Sequence, residues 1–184
     1  KRQPYCYCDF CRSQFAEFSG RPDPVGDLEN WFLYRSERVS IVPVLIAEEL
    51  ERRGMDSKVI VQLPPVDFDH TTEALRRQTG QDINQWRNIV HILSPHLYMT
   101  QSGLDGDWAI HYLNQLRQST DIDLIPELDF PLGGLDETEA LDMYELLEEF
   151  KAGEIQAVSL FHWEMLDEQS EVISILEEFH AAPS

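Results

Sequence analysis

One pattern limits what this chain can fold into. From residue 58 onward, short apolar runs alternate four times with longer amphipathic stretches. The runs 58–63, 91–99, 123–130 and 155–163 are rich in Val, Ile, Leu and Phe. The intervening stretches at 71–90, 107–119, 136–151 and 167–180 space their apolar residues three and four apart, as one face of a helix requires. Strands that are apolar nearly throughout and alternate with helices predict a parallel sheet with helices on both faces. Two architectures satisfy this: an open doubly wound sheet, or part of a (β/α)8 barrel. A doubly wound nucleotide binder carries a glycine-rich turn after its first strand. The sequence has no G-x-G-x-x-G or G-x-x-x-x-G-K, and Gly133-Gly134 alone does not make such a turn. Four βα units are half of a barrel, and a whole barrel takes about 250 residues against the 184 here. The expected fold is therefore α/β, the C-terminal half of a (β/α)8 TIM barrel.

The preceding residues divide into a cysteine-rich loop region over 1–26 and a long helix over 27–54, so that 1–184 reads as a single domain ending in four βα units at 55–184. Phe10, Phe15 and Phe18 have helical spacing before Gly20, Pro22, Pro24 and Gly26 break the chain. Asp27 is placed to cap the long helix, Trp31, Tyr34, Val39, Val42, Leu45, Ile46 and Leu50 form its apolar face, and Gly54 stops it. Pro43 inside it predicts a kink or a break. The formal charge of −20 repels phosphate backbones, which argues against nucleic-acid partners. Eleven Arg, only three Lys and 34 acidic residues also suit a saline environment, although an acidic surface commonly serves solubility alone. No apolar run approaches the ~20 residues of a membrane span, and Lys1-Arg2-Gln3-Pro4 opens no signal peptide. A soluble protein is expected, with its compartment, cytoplasmic or secreted, left open.

All three cysteines, Cys6, Cys8 and Cys11, fall within six residues, which excludes a disulfide framework. Zinc takes four ligands at tetrahedral angles, so three clustered thiolates suit a structural zinc site whose fourth ligand comes from elsewhere, from Asp9 or from water. A site that has lost its metal is the competing reading. The C-x-C-x-x-C spacing misses the C-x-x-x-C-x-x-C of a radical iron–sulfur centre.

The stretch Cys6-Tyr7-Cys8-Asp9-Phe10-Cys11-Arg12-Ser13-Gln14-Phe15, followed by a Gly/Pro loop and by Trp31 and Arg35 on a long helix, resembles a segment of bacterial barrel glycoside hydrolases. These are the family-42 beta-galactosidases and the glycosyl-hydrolase-like families near them. Trp86 and the run 89–98, which closes on Ser94-Pro95-His96-Leu97-Tyr98, is similar to their sixth-strand pattern. The resemblance implies that the four strands here are strands five to eight. Retaining members place an acid/base Glu at the end of strand four and a nucleophile at the end of strand seven. By that reading Glu127 is the nucleophile, and the strand-four acid precedes Lys1 and lies outside this chain.

Strand-end residues frame the expected carbohydrate site, because the active face of a barrel lies where its strands end. Glycoside cleavage needs two carboxyls, one protonated and one ionised. Glu127, flanked by Leu124-Ile125-Pro126 and Leu128, sits where burial can tune its pKa. Of Glu127 and Asp129, at most one is expected to face the barrel axis. Trp163 offers a flat face to a sugar ring, and Glu164 beside it is a second strand-end carboxylate. Tyr98 and His96 can hydrogen-bond a carboxylate or a sugar hydroxyl, and Asp67 is placed for a sugar hydroxyl. Each has a plainer role open to it: core packing for Trp163, backbone-satisfied imidazoles for His91 and His96, and a helix-capping carboxylate for Glu127. Two rivals to the hydrolase are a non-catalytic barrel binding carbohydrate or protein, and a half-barrel that pairs with itself as a homodimer.

Overall fold

The computed structural model describes residues 8–66, 70–98, 104–129, 137–153, 155, 157–161 and 170–181. They fall into two compact units, Lys1–Val59 with Val66–Val90 and Ile60–Pro65 with His91–Ser184.

The first unit is helical. It holds helices α1 (Asp9–Ser19), α2 (Leu28–Arg52) and α3 (Thr71–Gln78), with one short 3-10 turn at Pro24–Gly26 between α1 and α2 and another at Ile83–Gln85 after α3. Most of the expected loop region at 8–26 is thus the helix α1. Its Phe15 packs edge-on against Trp31 and Tyr34 of α2, with ring centroids 5.4 and 5.9 Å apart. Cys11 and Phe18 border this aromatic cluster. α2 runs unbroken through the buried Pro43. Asp27 stands at its N-cap position, yet its carboxylate serves Asn30 Nδ2 at 2.8 Å and Arg21 at 3.2 Å rather than the helix backbone.

Helix α3 stops at Gln78, twelve residues short of the expected 71–90. Gly80 turns the chain with φ +82°, in the left-handed region that favours glycine, and lies against Val39. The Arg35 guanidinium then donates to the C-terminal carbonyls of Arg77 and Gln78 at 3.1 and 3.3 Å, which satisfies groups a helix end leaves open.

The second unit is a parallel sheet with helices. Its elements are β1 (Ile60–Leu63), β2 (Ile92–Leu97), α4 (Gly106–Ser119), β3 (Asp123–Leu124), β4 (Glu127–Asp129), α5 (Glu137–Ala152), β5 (Ser159–Phe161) and α6 (Ser170–His180). The strand expected from residue 155 begins as β5 at Ser159, because Ile155 instead closes the end of α5, its N–H donating to Phe150 O at 2.9 Å. Strand order follows chain order, β1-β2-β4-β5, and β3 also pairs with β2. β3 and β4 lie on one line: Asp123 pairs with Ile92 and Glu127 with His96, each four residues on. Pro126 separates them because it has no N–H for the ladder.

Register sorts the strands into two chemically distinct faces, since side chains alternate with period two. One face carries Leu63, Leu93, Leu97 and Leu128, all fully buried. Burial on the helices repeats i, i+3, i+4, i+7: Ala109, Tyr112, Leu113 and Leu116 on α4, and Met143, Leu146, Leu147 and Phe150 on α5. α4 packs on α5 and α5 on α6, so these helices stand side by side in chain order. Among the described residues no helix is long and apolar enough to cross a membrane.

Candidate functional site

The other sheet face carries Gln62, Ser94, His96, Glu127, Asp129, Ser159 and Phe161, with Tyr98 continuing the alternation just past β2. Glu127 and Asp129 are both buried, at 6% and 3% exposure. The expectation that only one of them faces this side is corrected by the register. Residues i and i+2 of a strand project the same way, and β4 pairs Glu127 with Ser159 and Asp129 with Phe161 without a bulge.

Each oxygen of the Glu127 carboxylate accepts a hydrogen bond. Tyr98 Oη donates to Oε1. Gln62 Nε2 donates to Oε2 at 2.9 Å. His96 Nε2 lies 3.7 Å from the same Oε2. The two donors are a phenol and an amide, so they aim the carboxylate without adding a full positive charge beside it. Burial, and after it the hydrogen bond to Glu127 and the charges of Glu127 and Asp129, pushes the Tyr98 phenol above the ordinary tyrosine range. Tyr98 therefore remains a proton donor to Glu127 at any physiological pH.

Three rings form a ladder across this face. His96 stacks on Tyr98 with centroids 4.6 Å apart and planes at 18°, and Tyr98 stacks on Phe161 at 5.5 Å and 29°. Tyr98 lies just past β2 and Phe161 closes β5, with β4 between these strands, so their rings meet over the strand that bears the carboxylates.

The structure thus assembles Glu127, Asp129, His96 and Tyr98 of the expected site. Asp67, Trp163, Glu164 and Cys6 lie outside the described residues. Cys8 takes the N-cap position of α1 and Cys11 the third position of its first turn, in the helical unit, with Cys8 exposed and Cys11 half-buried. Among the described residues no group of three or more His, Cys, Asp or Glu side chains is arranged to hold a metal ion.

Two participants escape sequence reasoning. Gln62 carries no charge and looks like a solvent-facing strand residue, and Phe161 looks like one more apolar residue of a buried strand. Period-two counting from the ends of 58–63 and 155–163 is the one signal that could have put them on the carboxylate face.

No protein-family model matches this chain, and no curated protein matches it.

Proposed function

We propose that this chain is the C-terminal half of a (β/α)8 barrel glycoside hydrolase of the retaining type, with Glu127 as the nucleophile. The observation that carries the reading is a buried carboxylate on an interior parallel strand, aimed by two neutral donors, Tyr98 and Gln62. Strands paired in chain order support the barrel, because a doubly wound sheet reverses direction at its first strand.

In this mechanism Glu127 attacks the anomeric carbon as the leaving oxygen takes a proton from the partner acid, which lies outside this chain. A covalent glycosyl ester forms, and water then hydrolyses it with the configuration retained. Tyr98 and Gln62 hold the carboxylate in line during attack. His96 and Asp129, on the same sheet face as Glu127, meet the sugar. The thiolates of Cys6, Cys8 and Cys11 would hold a structural zinc, with the fourth ligand coming from elsewhere.

The test is turnover of nitrophenyl β-glycosides by the intact barrel protein. Glu127→Gln is expected to abolish turnover while circular dichroism remains unchanged. Adding azide to Glu127→Ala should restore turnover with formation of a glycosyl azide of inverted configuration. Near-normal turnover by Glu127→Gln would sink the assignment.

A further inference from the structure

The helical unit carries a groove between α1 and α2. Phe10 and Gln14 of α1 meet Trp31, Tyr34, Arg35 and Arg38 of α2 around a cavity of about 400 Å³. Small-molecule sites measure about 300–1,000 Å³ and combine an apolar lining with a few directed polar groups. Trp31 and Tyr34 are buried in the aromatic cluster with Phe15, so they line the cavity with rings already fixed in place. Phe10 is different: it is 71% exposed, more than any other large apolar side chain among the described residues.

The charge of the lining opposes that of the chain. Two guanidinium groups and no carboxylate line the cavity, although the chain carries a formal charge of −20. Arg35 is committed to the carbonyls of Arg77 and Gln78 and contributes its charge alone. Arg38 lies over the Tyr34 ring, 5.4 Å from its centroid, and among the described residues no carboxylate comes within ion-pair distance of it. A stacked guanidinium is engaged through its face, which leaves its in-plane N–H donors for an acceptor. A carboxylate matches two of those donors at once. We propose that the α1–α2 groove binds a flat aromatic carboxylate, its ring beside Phe10 and its carboxylate on Arg38. The ring covers the exposed Phe10, which favours offset or edge-on aromatic contact. The summed field of an acidic chain repels anions, so a preference for an anion here has to come from the local cations. The site lies in the helical unit and does not rest on the glycoside reading.

Heteronuclear NMR of the nitrogen-labelled chain, titrated with 2-naphthoate and with the neutral 2-naphthamide, tests the site. The two probes share a ring system and differ in charge. Wild type is expected to bind 2-naphthoate at least about fivefold more tightly than 2-naphthamide, as a charge-assisted contact should, with the largest amide shifts in α1 and α2. Arg38→Gln is expected to bring the two affinities within about twofold of each other by weakening 2-naphthoate alone. Its urea midpoint should not change, because no ion pair is lost. Phe10→Ser is expected to weaken both probes by a similar factor, since both lose the same ring contact. Equal binding of the two probes by wild type, a preference that survives Arg38→Gln, or largest shifts in the sheet would each overturn the proposal. So would a wild-type chain that binds neither probe at millimolar concentration.

Discussion

Removing the Tyr98 hydroxyl tests the arrangement around Glu127 with few side effects. Tyr98→Phe keeps the ring, and with it the stacks on His96 and Phe161, and deletes only the donor to Oε1. A hydrogen bond to a charged acceptor contributes about 1.5–3 kcal/mol, against about 0.5–1.5 for a neutral pair. Tyr98 is only partly shielded from solvent, so the lower half of the charged range applies, and Tyr98→Phe should cost about 1.5–2 kcal/mol. The same change in a Glu127→Gln background meets a neutral acceptor and should cost about 0.5–1 kcal/mol. The coupling energy of the double-mutant cycle is the difference, about 1 kcal/mol, as neighbours sharing one interaction should show. Urea unfolding of the four proteins at pH 7 measures it. Strictly additive costs, or a Tyr98→Phe loss below 0.5 kcal/mol, would refute the view that Tyr98 serves the ionised carboxylate. On the proposed hydrolase reading the same variant should lower kcat more than KM, because a misaimed nucleophile impairs the chemical step.

Three further outcomes follow from the structure. Burial pushes the Tyr112 phenol above its ordinary 10.0, and its hydroxyl donates to Pro64 O at 3.0 Å. Above pH 10 the unfolded chain releases this proton while the folded one keeps it. The Tyr112 contribution is thus complete below pH 10 and is lost above it by about 1.4 kcal/mol per pH unit. Tyr112→Phe should flatten that alkaline fall in urea titrations at pH 9–11, at a cost near neutrality of about 1 kcal/mol. Gly80→Ala places a Cβ 3.0 Å from Val39 Cγ2 at φ +82°, and should destabilise the chain by more than the roughly 1–2 kcal/mol of left-handed backbone strain alone, read from the denaturant midpoint. Elemental analysis should find one zinc per chain, lost on adding a strong chelator and absent from Cys8→Ser and Cys11→Ser; metal-free wild-type protein would refute the proposed zinc site.

Sequence periodicity anticipated the alternation of strands and helices, because burial on both sides of a parallel strand leaves an apolar run that is hard to mistake. It misread 71–90 for a definite reason. Ile83, Trp86 and Val90 continue a three-and-four spacing, and all three are buried, but they lie on a 3-10 turn and the bends beyond it. Their spacing satisfies a helical template without a helix, and only the left-handed Gly80, wedged against Val39, ends α3 at Gln78. Within the site, the ionisable and hydroxyl-bearing residues at strand ends were legible because their types carry chemistry. Gln62 and Phe161 were not, since their importance comes from neighbours 65 residues away in the case of Gln62 and Glu127, and from a ring two strands over in the case of Phe161 and Tyr98. Contacts of that range are set by register, which composition does not reveal.

Pro126 has a consequence for how securely the chemistry is framed. Its neighbour Ile125 donates to Leu93 O at 3.0 Å, and Pro126 O accepts from Ser159 N at 2.8 Å, so the imino acid occupies a point where the ladder asks it only to accept. A slip of β4 by one residue would exchange its two sides, thrusting two carboxylates among the fully buried leucines and turning Leu128 onto the polar face. The same slip would bring another residue's N–H or the proline ring to positions where bonding needs differ. A residue usually regarded as a strand breaker thus acts here as a frame marker: it penalises the misaligned sheet and leaves the aligned one untouched.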